Sequence, residues 1–222
     1  MRGLRAPRGG VPPTSQVVVG IVGTVCLVGV RAAVPATAVA VCAFAGLRLG
    51  EAAALQVGDV DFLRRVLAVK RQVQRARGVV EVRLPKYGSE REVYVADELV
   101  QMLARLIESG IRERWLFSGA SAVPASGTTL NYRWLATCNR AGVEGGLHMH
   151  HLRHYFASGL IADGCDVVTV QRALGHASAT VTLDTYSHLW PTAADRTRKA
   201  AASMMAEVLG APADFVRTSA NE

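Results

Sequence analysis

The chain has 222 residues, half of them apolar, which excludes a disordered chain and allows one well-filled core or one domain plus a fragment of a second. Its formal net charge is +7 and its sequence pI about 9.7, a balance suited to a polyanionic partner such as nucleic acid or an anionic membrane surface. The four cysteines, Cys26, Cys42, Cys138 and Cys165, show no metal-binding spacing and read as reduced core thiols of a cytosolic protein.

Residues 1–16, "MRGLRAPRGGVPPTSQ", are rich in Arg, Gly and Pro, and no stable structure is expected there. The uncharged run "VVVGIVGTVCLVGV", residues 17–30, is short of the roughly 20 apolar residues of a membrane span. Arginines before it and the small-residue sites "ATA" and "AVA" after it imitate a signal peptide, so a secreted or membrane-tethered basic protein stands as one alternative. The plainer reading is an apolar segment that packs on the domain, or an N-terminus foreign to it.

An ordinary globular domain is expected over 35–210, after an atypical N-terminal segment, 1–34, and before a disordered tail, 211–222. "ATAVAVCAFAGLRLGEAAALQ" reads as two helices broken near Gly46, the second from about Arg48 to Leu55. "RVLAVKRQVQ", "VVEVRLP" and a strand over 91–95 follow, joined by the turns "RARG" and Pro85 to Ser89. They predict a small three-stranded antiparallel sheet.

Helices return at "ADELVQMLARLIESG", with Asp97 as N-cap, an apolar stripe of Leu99, Met102, Leu103, Leu106 and Ile107, and a stop at Gly110. Residues 118–128 form a loop by composition. Further helices are expected in "TLNYRWLATCNRAG", "HHLRHYFASGLIADG", "VVTVQRALG", around Tyr186, and in "TAADRTRKAAASMMAEVL". In the last, Thr192 caps the start and Met204, Met205, Val208 and Leu209 share one face. The fold class is therefore α+β, mostly helical.

Some polar residues sit oddly in this pattern. Arg48 lies between Leu47 and Leu49, and Arg153 lies in "HHLRHYF". An unpaired buried charge costs several kcal/mol, so such arginines are paired or bind an anion. Two planar forks can grip one phosphate. His150 lies three residues before Arg153 on the same face, and His176 follows the helix-ending Gly175. Tyr186 comes ten residues later. A phenol, two guanidiniums and an imidazole suit phosphoryl transfer with a tyrosine nucleophile and protein cations on the non-bridging oxygens. Lys86, at a turn, could protonate a leaving oxygen. Taken singly, Tyr186 could equally be a packing tyrosine, and His150, His151 and His154 surface histidines or a chance metal-like pair.

Four stretches, in order, carry a resemblance: "GLRLGEAAALQVGDVDF", "LPKYGSEREV", "HHLRHYFAS" and "LGHASATVTLDTY". Together they resemble the catalytic domain of the tyrosine recombinases, the phage-integrase type. The resemblance implies that Tyr186 is the nucleophile, forming a 3′-phosphotyrosine link to double-stranded DNA. It implies that Arg48, Arg153 and His176 hold the scissile phosphate, and that His150 assists proton transfer at the tyrosine. Lys86 would be the general acid and Glu51 an orienting acidic residue. No cofactor and no metal are implied. The C-terminal helix would dock on a neighbouring protomer in a homo-oligomer, a tetramer on DNA, in the cytoplasm with the nucleoid. Arg64, Arg65, Lys70 and Arg71 are candidates for DNA-backbone contacts.

Members of that family usually carry a separate helical clamp domain before the catalytic one, and residues 1–34 do not look like it. A truncated or remodelled integrase, with an out-of-frame N-terminus, is the resulting expectation. The alternatives are a catalytically idle DNA-binding remnant and a topoisomerase of the same chemistry.

Overall fold

The computed structural model describes residues 33–76, 78–109, 114–118, 123–140 and 147–210. The apolar run 17–30, Cys26, Gly110 and the C-terminal tail lie outside the described residues. The chain divides into two units, residues 1–187 and 188–222.

The first unit is built around α1 (Ala33–Phe44). Ala36, Ala38, Val39, Ala40, Val41, Cys42 and Ala43 are all buried. A helix that is apolar all round belongs at the centre of a core, and its small side chains let neighbouring helices approach closely. The small-residue sites that imitate a signal-peptide junction thus lie within a core helix.

The chain reverses at Gly46, where φ is +62° and an added Cβ would stand 2.3 Å from the Phe156 ring. Glycine meets both demands. The next helix, α2 (Leu49–Ala53), is shorter than expected and has Arg48 at its N-cap.

Among the described residues five strands follow: β1 (Val60–Asp61), β2 (Val66–Val69), β3 (Gln72–Ala76), β4 (Val79–Arg83) and β5 (Arg91–Tyr94). A three-stranded antiparallel sheet does form, in the order β1-β2-β5, while β3 and β4 make a separate hairpin. The expected single strand over 65–74 breaks at Lys70 and Arg71, because Arg71 turns to pair with the buried carboxylate of Asp59. Leu67 and Val93, opposite each other in β2 and β5, are buried. Val79 and Val82 of the hairpin are exposed.

The remaining helices of this unit are α3 (Asp97–Glu108), α4 (Gly127–Arg140), α5 (Met149–Ala162), α6 (Val167–Leu174) and α7 (Ala179–Tyr186). Ala96, not Asp97, is the N-cap of α3. Asp97 sits in the first turn, where its charge complements the helix dipole. Leu99, Leu103 and Leu106 are buried as the stripe predicts. α1 packs against α3, α4 and α5. At the start of α6, Asp166 accepts from the backbone amides of Val168 and Thr169 at 2.7 and 2.9 Å. Gly175 ends α6 at φ +64°.

In the second unit, α8 (Ala193–Leu209) is capped by Thr192, whose hydroxyl accepts from the Asp195 amide at 3.2 Å. Met204, Met205, Val208 and Leu209 are exposed along it. Among the described residues, no helix is long and apolar enough to cross a membrane.

Candidate active site

The site is organised by the C-terminal end of α6. Three consecutive carbonyls there accept from three arginines. Arg91 Nε donates to Ala173 O at 3.0 Å, an Arg153 Nη to Leu174 O at 2.6 Å, and an Arg48 Nη to Gly175 O at 3.0 Å. The last carbonyls of a helix lack partners along the chain and carry partial negative charge, so guanidiniums gather there. The three come from distant parts of the sequence: the cap of α2, the start of β5 and the middle of α5.

Glu51, only 1% exposed, sits between two of them. It accepts from the Arg48 amide at 2.9 Å and its guanidinium at 2.7 Å, and from Arg91 at 3.2 and 2.9 Å. Burial alone would raise the pKa of this carboxyl, but Arg91 and then Arg48 outweigh it and hold it below its ordinary value. Arg153 is 4% exposed and also donates to Gly46 O. Burial, and next the neighbouring Arg48, disfavour its charged form. Three guanidiniums and one carboxylate leave two positive charges in this cluster, an arrangement suited to an anion.

His176 lies just beyond Gly175. Its Nδ1 is 2.9 Å from Oγ1 of Thr182, a fully buried hydroxyl one helix on. Burial, then Arg153, Arg48 and Arg91, push its pKa down to about 4. At neutral pH it is an uncharged imidazole that can donate one hydrogen bond.

Tyr186 ends α7 and is 4% exposed. Burial raises its pKa, and Arg153 offsets part of that. Its hydroxyl lies 2.7 Å from Nδ1 of His154, and Nε2 of His154 lies 2.9 Å from Nε2 of His150. The expected partner at the tyrosine was His150; the structure puts His154 there, with His150 one step behind, at the exposed rim.

Lys86 stands exposed on the turn 86–88 between β4 and β5 and forms no ion pair among the described residues. The turn is tied to the cluster through Ser89. Its Oγ accepts from Arg48 at 3.3 Å and its carbonyl accepts from Arg91 at 3.2 Å.

The four candidates for DNA-backbone contacts all meet carboxylates. Arg64 donates to both oxygens of Glu92 at 3.0 and 2.8 Å. Arg65 pairs with Asp97. Lys70 lies 3.8 Å from Asp59, and Arg71 pairs with that same carboxylate. Because Asp59 is buried and also caps the turn at Gln56, Arg71 is a structural residue. Among the described residues, no group of three or more His, Cys, Asp or Glu side chains could hold a metal ion.

Sequence reading missed Arg91, Thr182 and the contact of His154 with Tyr186. Arg91 stands in "SEREV", which looks like a solvated strand edge. Thr182 sits six residues after His176 within a polar β-branched run, and only that run hinted at it.

The model of the phage integrase family matches residues 21–192. The chain belongs to that family. Tyrosine recombinase XerC of Pediococcus pentosaceus is 31% identical over 144 residues, which are 65% of this chain and 46% of that protein. Tyrosine recombinase XerD of Corynebacterium glutamicum is 33% identical over 144 residues, 65% of this chain and 44% of that protein. The chain thus spans a little under half the length of these curated relatives. The Tn1549 transposon integrase, solved in complex with a circular intermediate DNA, shares the fold with a TM-score of 0.75 at 20% identity, over 89% of this chain and 67% of that one. The catalytic domain of bacteriophage HP1 integrase is similar over 92% of this chain and 96% of that one, with a TM-score of 0.54 at 19% identity.

Proposed function

We propose that this chain binds double-stranded DNA and cleaves and rejoins it through a 3′-phosphotyrosine intermediate at Tyr186, as a site-specific recombinase. The observation that carries this reading is the gathering of Arg48, Arg153 and His176 at the end of α6, with Tyr186 closing the next helix. Membership of the phage integrase family, and relatives that are tyrosine recombinases, support it.

In this reading the Tyr186 oxygen attacks the scissile phosphorus while the bond to the 5′ oxygen breaks. Arg48 and Arg153 hold the non-bridging oxygens with fixed donors, and His176 adds a neutral one. Glu51 keeps Arg48 in place. Lys86 gives a proton to the departing 5′ oxygen. A 5′-hydroxyl from another strand then attacks the phosphotyrosine, and the steps run in reverse. Arg64 and Arg65 contact the backbone after exchanging exposed carboxylate partners, since such surface pairs contribute only about 0–1 kcal/mol, and the exposed Lys70 contacts it while Arg71 keeps Asp59 paired. The exposed stripe of α8 docks on a neighbouring protomer, building a tetramer on DNA. The chain acts in the cytoplasm with the nucleoid.

The test is covalent trapping on nicked suicide duplexes made from DNA flanking the gene. A denaturant-resistant protein–DNA adduct is expected from the native chain and none from Tyr186→Phe. A folded native chain that binds these duplexes but forms no adduct is an idle DNA-binding protein, and the enzymatic reading fails.

A further inference from the structure

We propose that His154, through its Nδ1, takes the phenol proton of Tyr186 as the tyrosine attacks phosphorus, and passes charge outward to His150. The proposal rests on the cleavage reading above and assigns a role to a residue that reading leaves idle. Its basis is a continuous chain of three polar groups: Tyr186 hydroxyl to His154 Nδ1 at 2.7 Å, and His154 Nε2 to His150 Nε2 at 2.9 Å. Both lengths are within hydrogen-bond reach, the first requirement for a proton acceptor.

The local sequence makes the chain possible. His150 and His154 are four residues apart on α5, one above the other on the same face, and their rings meet edge to face with centroids 4.5 Å apart. Tyr186 reaches the inner member from α7, with ring centroids 5.5 Å apart. Arg153, between the two histidines in sequence, points instead to Gly46 and Leu174. One turn of α5 therefore carries both a phosphate-side cation and the proton path.

The chemistry follows from donor counting. A neutral imidazole has one N–H and one lone pair. If Nδ1 of His154 accepts from the phenol, its proton is on Nε2, which donates to Nε2 of His150. His150 then keeps its own proton on Nδ1. When the phenol oxygen bonds to phosphorus, its proton moves to His154 Nδ1 and the Nε2 proton of His154 moves to His150. His150, the more exposed member, becomes an imidazolium, and the half-buried His154 stays neutral. Atoms and charge balance without another reactant.

The surroundings keep all three groups neutral before substrate binds. Tyr186 is buried with its pKa raised, so it is a neutral phenol at pH 7 and needs an acceptor. Burial lowers the pKa of His154 to about 4, with His150, His151 and Arg153 adding to the effect. Its lone pair is therefore available. His150 is lowered too, by burial first and then by Arg153, His151 and Arg48. Placing the proton on His150 becomes easier when a bound phosphate neutralises Arg48 and Arg153. The relay is thus coupled to the presence of substrate.

Two measurements on the full chain decide it. The first is side-chain nitrogen NMR on histidine-labelled protein without DNA. His154 is expected neutral at pH 7 with its proton on Nε2, and its Nδ1 resonance shifts in Tyr186→Phe. A proton on Nδ1, or a resonance unmoved by Tyr186→Phe, overturns the relay. The second is the rate of adduct formation on nicked duplexes. His154→Gln is expected to cut this rate about 100-fold at pH 7 and by less at pH 9, where phenol ionisation is easier. A 5′-bridging phosphorothiolate, which needs no leaving-group proton, should rescue Lys86→Ala but not His154→Gln. A wild-type rate in His154→Gln, or its rescue by the sulfur leaving group, overturns the proposal. If the native chain makes no adduct, the cleavage reading fails, and the NMR result alone decides the hydrogen-bond chain.

Discussion

Arg91 donates to both carboxylate oxygens of Glu51, at 3.2 and 2.9 Å, and its own Nε reaches Ala173 O at 3.0 Å. It therefore ties the sheet to α2 and to the end of α6 at once. Both side chains are nearly fully buried, so removing Arg91 breaks a buried ion pair and leaves Arg48 as the charged partner of Glu51. Arg91→Ala is expected to cost about 3–5 kcal/mol in urea denaturation. Arg91→Lys should recover only part of this, because one ammonium cannot match a bidentate fork and a carbonyl together. A loss below about 1 kcal/mol for Arg91→Ala would show that Glu51 is held by Arg48 alone.

Most of the helices were legible in the sequence, as were Arg48, Glu51, Arg153 and His176 among the residues gathered at the end of α6. Periodicity places Leu99, Leu103 and Leu106, and Arg48 and Arg153 declare themselves by standing where apolar residues belong. What escaped has a common cause: it depends on which segments meet in space. Nothing local tells β2 to pair with β5 across an intervening hairpin, because register is set by the shared buried face of Leu67 and Val93. Nothing in "SEREV" marks Arg91 as buried. His154 is as close to the motif as His150, and only the position of α7 decides which of them the tyrosine touches.

Gly46 joins backbone and site. Its carbonyl accepts from Arg153, its φ is +62°, and its Cα faces the Phe156 ring. Gly46→Ala asks a side chain to enter the left-handed region and pushes against the half-buried Phe156 ring. A loss of roughly 2–5 kcal/mol is expected from the two effects together. Phe156→Leu alongside Gly46→Ala should restore part of the stability by relieving the clash, but not the backbone strain. If the double variant is no more stable than Gly46→Ala, the ring contact contributes nothing.

Stability should fall in acid earlier than carboxylates alone would cause. His154 and His176 have folded pKa values near 4, below the ordinary 6.5 of an unfolded chain. Between those values the unfolded state binds more protons, so stability rises with pH through that window. It is complete above about pH 6.5 and drains as pH approaches 4. Glu51, also depressed, adds a second loss below about 4.5. After solvent screening, each histidine is expected to contribute roughly 1 kcal/mol. Urea midpoints measured from pH 7.5 to 4.5 check this, and a midpoint flat across that range contradicts it. His176→Gln should flatten the slope.

Thr182 tests whether the neutral imidazole works through its orientation. The hydroxyl is fully buried and faces His176 Nδ1 at 2.9 Å. For the neutral ring to donate from Nε2 to a phosphate, Nδ1 must accept from the Thr182 hydroxyl, so this contact would set both the ring's orientation and its tautomer. Thr182→Val keeps the shape and removes the hydrogen bond. It is expected to cost about 1 kcal/mol of stability and to slow adduct formation about 10-fold, which by transition-state arithmetic is a similar energy. His176→Ala should be slower still, and adding Thr182→Val to it should change nothing further, because the hydroxyl then has no ring to orient. Equal and independent losses from the two substitutions would mean that Thr182 acts by packing α7 beneath Tyr186 instead of by aiming the imidazole.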